Sequence, residues 1–221
     1  MPYRKTVFVE NGIYHVINRG VNRSPIFKGQ RDYERFLDVA AFVRCNPSIR
    51  FSHYNRMSFK DKEEFLEKLN KNEPLVDILS FGLMPNHFHL LLKQLKEGGA
   101  QIFMRNLQNS YGKYFNVKYD RVGTVFQSVF KAVPIETDEQ LVHVSRYIHL
   151  NPVSSNIIRI NELSKYEWTS FGYYIGQKQN KFINTTDVLG HFKTKDQYKE
   201  FVFDQADYQK ELEKIKHLVD E

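Results

Sequence analysis

The chain has 221 residues, of which 41% are hydrophobic and 14% aromatic, so it can bury a sizeable core and is not a disordered chain. Its net charge is +6, and Cys45 is its only cysteine, which excludes an internal disulfide and a cysteine-rich zinc site and fits a reducing cytoplasm. No apolar run approaches a membrane span, and the opening "MPYRKTVFVENGIYHV" lacks a continuous apolar stretch, so a cytoplasmic protein with no membrane partner is expected.

The positive charge is unevenly placed. Residues 152–221 hold 10 Lys/Arg and 11 Asp/Glu, whereas residues 1–151 hold 22 against 15. Basic surface interleaved with Tyr and Phe suits a nucleic-acid partner, and equally an ordinary solvated surface.

In chain order, "GIYHVINRG" (12–20) alternates like a strand and runs into the loop "GVNRSP". Residues 30–46 carry Tyr33, Phe36, Leu37, Ala40, Ala41 and Val43 at helical spacing. Residues 58–74 read as a charged amphipathic helix. "VDILSFGLM" (76–84) and "HFHLLLK" (87–93) read as two strands joined at "PN", which makes a hairpin. Residues 98–119 form a helix with Ile102, Phe103, Leu107, Tyr111, Tyr114 and Phe115 inward, and residues 123–136 read as extended structure. "TDEQLVHVSRYIHLNPV" opens with the N-cap candidates Thr137 and Asp138 and is expected to close at Pro152. "YEWTSFGYYIG" (166–176) is aromatic and suits docking on the body, and residues 185–221 read as short helices.

This order, βαββαβ, predicts an α+β fold: a ferredoxin-like core with an antiparallel sheet, packed helices and a C-terminal helical extension. The domain expectation is a catalytic unit over 1–151 and a docked extension over 152–221.

The hairpin carries the first candidate chemistry. Residues i and i+2 of a strand share a face, so His87 and His89 lie together while Phe88, Leu90 and Leu92 face a core. An isolated H-x-H is more often a polar face than a metal site. A second constellation lies on the helix after Thr137. Residues four apart share a helix face, so His143, Tyr147 and Asn151 form a series and His149 points elsewhere. A tyrosine followed four residues later by an amide is a possible nucleophile beside a possible ligand. Taken alone, it is also a buried tyrosine with a helix-ending Asn. Tyr111 is the rival nucleophile, but Phe115 stands where an amide would be needed.

The stretches "YHVINRGVNRSPIF", "MPNHFHLLL", "RNLQNSYGKYFN", "GTVFQSVFKAV" and "VSRYIHLNPV", in this order, resemble the single-tyrosine HUH transposases of the insertion-sequence type, and most of all the REP-associated tyrosine transposases. The likeness covers about residues 8–176. It implies that His87 and His89 hold a divalent metal, magnesium or manganese, with Asn151 as a third ligand. It implies that Tyr147 attacks a DNA phosphodiester, forms a 5′-phosphotyrosine link and frees a 3′-OH. The implied partner is single-stranded or hairpin-flanked DNA, and the protein would be a monomer or homodimer. Arg19, Asn22, Arg23, Arg105, Lys113 and Lys131 are the candidate DNA contacts, the last three expected to flank the site. Two imidazoles and an amide would by softness suit zinc or nickel, a tension with the implied hard cation. A histidine-triad hydrolase would need a third histidine where Leu91 stands, and a two-histidine phosphoesterase would need two H-x-T/S motifs, of which the sequence holds one, at His143–Ser145. The rival of another class is a catalytically silent DNA-binding protein, a repressor or architectural factor, on the same fold.

Overall fold

The computed structural model describes residues 6–69, 71, 73–179 and 182–206. Four strands form one antiparallel sheet: β1 (Ile13–Arg19), β2 (Val76–Met84), β3 (His87–Gln94) and β4 (Lys131–Ile135), in the spatial order β2-β3-β1-β4. With α1 (Gln30–Val43) after β1, α4 (Gly99–Lys118) after β3 and α5 (Asp138–Ser154) after β4, this is the ferredoxin-like arrangement. Two further helices, α2 (Phe51–Arg56) and α3 (Phe59–Leu69), are inserted between α1 and β2. The α2 helix was not foreseen, because six residues are too few to display a helical period.

The alternation of β3 divides the core into two layers. Phe88, Leu90 and Leu92 join Val16, Phe36, Phe103, Leu107 and Tyr111 in the larger core, under α1 and α4. Leu91 faces the other way and packs with Leu79, Ile148 and Leu150 beneath α5. Ile78 and Leu79 serve opposite layers by ordinary alternation, and a bulge in β2 between Ile78 and Ser80 then lets the consecutive Leu79 and Ser80 face the same one. It also turns Ser80 toward the α5 side, where its hydroxyl meets Tyr174 Oη at 2.8 Å.

Two boundaries differ from expectation. Only Lys131–Ile135 of the stretch 123–136 joins the sheet, apart from one bridge between Gly20 and Phe126. Helix α5 begins as expected, with the Thr137 side chain accepting from Gln140 N, but Pro152 does not end it. Proline removes one N–H, and its ring crowds the carbonyl four residues back, here Ile148. Asn151 carries the helix through that gap: its Nδ2 donates to Tyr147 O at 3.0 Å and its own carbonyl accepts from Ser155 N at 2.9 Å.

Gly82 shows how closely α5 lies on the sheet. A Cβ at this position would stand 2.7 Å from Ile148 O, the carbonyl deprived of its donor by Pro152. Gly82→Ala therefore forces α5 off β2. The expected loss is about 1–3 kcal/mol, the usual cost of overpacking, read by urea or thermal unfolding. An unchanged stability would mean that α5 yields freely.

Beyond α5 the chain packs back on the body. Trp168–Ser170 pairs with the outer edge of β2: Leu83 N donates to Trp168 O at 2.8 Å and Ser170 N to Phe81 O at 2.9 Å. This covers a sheet edge that would otherwise be exposed. The Trp168 ring stacks on Tyr33 of α1, with centroids 4.6 Å apart. The helices α6 (Phe171–Tyr174), α7 (Thr186–Leu189) and α8 (Lys195–Phe203) follow, with Phe171, Tyr174, Tyr198 and Val202 fully buried in the α5 layer. The expected short helices are thus present up to residue 206, and residues 207–221 lie outside the described residues. Among the described residues no helix is long and apolar enough to cross a membrane.

Candidate active site

His87 and His89 stand on the α5 side of the sheet, their rings edge to face with centroids 5.2 Å apart. Tyr147 projects from α5 onto this group. Its ring lies 5.7 Å from that of His89 and 5.9 Å from that of His15, edge-on to both. The close seat of Ile148 on Gly82, which pairs with His89 across β2 and β3, fixes the depth at which the neighbouring Tyr147 arrives.

Both imidazoles have their Nδ1 atoms engaged. His87 Nδ1 lies 2.6 Å from Asn86 Oδ1, and His89 Nδ1 lies 2.9 Å from His15 Nε2. In each ring Nε2 is then the nitrogen suited to a metal or substrate, oriented by the bond that its Nδ1 makes. Burial first, and then the Arg19 guanidinium across the β1–β3 pair, holds His87 down to about 4, so its ring is neutral near pH 7. Neutral imidazole is the form that ligates metals.

Asn151 lies one helical turn beyond Tyr147 and is 2% exposed. Because Nδ2 donates to the Tyr147 carbonyl, Oδ1 is the side-chain atom suited to a cation. Among the described residues no group of three His, Cys, Asp or Glu assembles a metal site. A cation on the two imidazole nitrogens could draw on Asn151 Oδ1, an amide oxygen on the helix that carries Tyr147, and on oxygens from substrate or water. The donor set fits a divalent ion with open positions.

The remaining candidates divide. Arg19 ends β1 beside His87. Lys131 pairs with Ile17, which pairs with His89, so Lys131 shares the histidine face. Asn22 and Arg23 occupy the short turn after β1, both with positive φ, and this turn is tied to the hairpin: Gly20 N donates to Asn86 O and Asn86 Nδ2 to Arg23 O. Arg105 and Lys113 do not flank the histidines. They are exposed on α4, which packs on the opposite side of the sheet, because Phe103, Leu107 and Tyr111 turn that helix's other face into the larger core. His143 also departs from the series with Tyr147: its Nδ1 lies 2.7 Å from an Arg146 guanidinium nitrogen and its ring meets Phe201.

Tyr111 is fully buried on the far side of the sheet, where its hydroxyl donates to Ile26 O. Burial pushes its ionisation far above the ordinary tyrosine range. It is a core residue of the α1/α4 layer, remote from the histidine face.

Three residues at the site are not among the candidates that the sequence offers. His15 is brought to His89 by the β1–β3 register, and the signal available was its place in the alternating "IYHVIN". Asn86 clamps His87 to the turn after β1, and it sits beside the H-x-H motif. Gly82 is a lone glycine inside a strand, a mark of close backbone approach.

His149, two residues beyond Tyr147, is fully buried in a separate network. Its Nε2 lies 2.7 Å from Ser170 Oγ and its Nδ1 2.8 Å from Tyr198 Oη, which reaches Ser145 Oγ at 3.0 Å. The tail thus holds the C-terminal half of α5. Burial pushes His149 down to about 3, so folding favours the neutral ring. That contribution is present above the unfolded value near 6.5 and is lost as the pH falls toward 3.

A family profile described as "Transposase IS200 like" matches residues 8–151. The chain belongs to the IS200-like transposase family. Among solved structures, this transposase is similar to a REP-associated tyrosine transposase bound to a REP hairpin, with 13% identity over 85% of this chain and 93% of that one, and a TM-score of 0.53. At that identity the likeness is one of fold. A Deinococcus radiodurans R1 protein taken to be a transposase aligns over 67% of this chain and 95% of its own, with 12% identity and a TM-score of 0.37, too low to carry an argument. No curated protein matches.

Proposed function

We propose that this transposase cuts and rejoins single-stranded or hairpin-flanked DNA through a covalent tyrosine intermediate, with Tyr147 as nucleophile. The observation that carries the reading is the meeting of Tyr147 with His89 beside His87, both imidazoles tied through Nδ1. Residues 1–151 would form the catalytic unit and residues 152–221 an extension that steadies α5.

His87 Nε2, His89 Nε2 and Asn151 Oδ1 would hold the cation, magnesium or manganese by family resemblance. When bound, the cation supplies charge withdrawal at a non-bridging phosphate oxygen. Tyr147 Oη would form a bond to phosphorus as its phenolic proton passes to solvent, and the bond from phosphorus to O3′ breaks with its electron pair left on O3′. The departing oxygen takes a proton, which leaves a 3′-OH and a 5′-phosphotyrosine. Reversal with another 3′-OH rejoins a strand. Ordinary tyrosine ionises near 10, so about one in a thousand is anionic at neutral pH, and help from the site is needed. Arg19, Asn22, Arg23 and Lys131 would receive backbone phosphates beside the cut. Tyr147 meets the histidines of its own chain, which supports one chain as the reacting unit, as a monomer or within a homodimer. The hairpin held by the structurally similar protein supports hairpin-flanked DNA as the substrate form.

The test is a pool of 3′-labelled single strands and hairpins, incubated with the protein and magnesium or manganese. A covalent protein–DNA band is expected, absent with chelator and absent with fully paired duplex. Equal cutting of duplex would overturn the substrate reading. Tight binding with no covalent band under any metal would leave a silent DNA-binding protein.

A further inference from the structure

On the side of the sheet away from the histidines, α1, the Pro47–Arg56 segment and α4 enclose a groove of about 770 Å³. Among the described residues five cationic side chains line it, namely Arg35, Arg50, Arg56, Lys113 and Lys118, and no carboxylate does. Two of the five are already engaged. Lys118 Nζ lies 2.6 Å from buried Asp32, and the Arg35 guanidinium lies about 5 Å over the rings of Phe51 and Tyr114. Among the described residues Arg50, Arg56 and Lys113 form no ion pair, so their charge remains available to a ligand.

The groove is not merely charged. Buried Phe42, Val43 and Phe51 form an apolar floor, and Val117 stands at the wall 86% exposed. Asn55, Asn106 and Asn109 add amide donors and acceptors at the same opening. A solvated basic surface needs neither a concave apolar floor nor converging amides. Phosphates suit the cations, flat heterocycles suit the apolar floor and the Arg35–Tyr114 pair, and base edges suit the amides. Duplex would offer phosphates but keep its base faces stacked.

We infer that this groove is a second nucleic-acid site, which takes a short segment of single strand with its phosphates on Arg50, Arg56 and Lys113. Only the choice of DNA over RNA rests on the transposase reading, since the groove's chemistry suits either strand. The site explains why Lys113 stands far from the histidines: it serves a separate stretch of the strand.

The experiment uses the full chain carrying Tyr147→Phe, so that binding is read without cleavage. Fluorescent oligothymidine is titrated over a range of salt, with and without Arg50→Ala, Arg56→Ala and Lys113→Ala combined. All three side chains are exposed, and thermal unfolding checks that the fold is kept. The combined variant is expected to bind about tenfold or more weakly, and its slope of log affinity against log salt should flatten by about 2, three single-strand phosphates at roughly 0.7 each. Photocrosslinking with a halogenated strand should label peptides of α2 or α4. Unchanged affinity and slope in a folded variant, or crosslinks confined to β3 and α5, would overturn the inference. Equal binding of duplex in the groove would overturn the single-strand assignment, and preference for oligouridine would assign the groove to RNA instead of DNA. Groove crosslinks in a protein that never forms a covalent adduct would sink the catalytic reading and leave this one standing.

Discussion

Tyr147→Phe is expected to abolish the covalent DNA adduct and lower strand cleavage by at least about 10³-fold, the scale at which losing a nucleophile is felt. The change removes one hydroxyl and keeps the ring that lies edge-on to His15 and His89. Packing of α5 is therefore retained, and unfolding temperature and DNA affinity should stay near those of the unaltered protein. Mass spectrometry of the adduct should place the nucleotide on Tyr147. A nucleotide on Tyr111 would sink the assignment, and with it the geometry, because the Tyr111 hydroxyl is buried against Ile26 O on the other side of the sheet. Full cleavage by Tyr147→Phe would do the same.

His87→Ala is expected to cut adduct formation by about 10²-fold or more and to weaken manganese binding in calorimetry, since it removes one of the two imidazole donors. His89→Ala should do likewise, and it also leaves His15 Nε2 without the partner now 2.9 Å away, so a loss of stability should accompany it. His87 is the cleaner test, because its Nδ1 partner Asn86 also holds the turn after β1 through Arg23 O. DNA affinity should change by less than about twofold in His87→Ala, because the phosphate-binding cations remain. A His87→Ala protein that cuts at the normal rate with chelator present would remove the metal from the mechanism.

The alternation of β3 could be read directly: "HFHLLL" assigns Phe88, Leu90 and Leu92 to one side and the histidines to the other, and the larger core receives the first three as expected. Tyr147 and Asn151 could be placed on one helix because four residues make about one turn. Their separation from Tyr111 could not be read with the same force, since a helical pattern with Tyr111, Tyr114 and Phe115 serves a core or a stacking surface equally well. Local pattern ends α5 at Pro152, but the helix continues to Ser154. A proline stops an isolated helix by local chemistry, whereas here the Asn151 amide and the packing of Ile148 on Gly82 sustain two further residues, to Ser154.

The positions of Arg105 and Lys113 are beyond local pattern for a related reason. Net charge along the chain says that residues 1–151 are basic, but a helix packed on a sheet has one of two layers to join, and sequence distance from a motif does not choose between them. The burial of Phe103, Leu107 and Tyr111 chose, and sent both cations to the side away from the histidines.

Periodicity and local chemistry account for the strand and helix order, the pairing of His87 with His89, the Thr137 cap, and the shared helix of Tyr147 and Asn151. Whatever depends on register and layer arises in the folded chain alone. The antiparallel register of β1 on β3 brings His15 to His89 across 74 positions of chain. Contact between α5 and Gly82 sets Tyr147 over the histidines, and the network of His149, Ser170 and Tyr198 fastens that helix to the tail. Such meetings join residues far apart in the chain, so no local pattern encodes them. They follow from which apolar faces must be buried together.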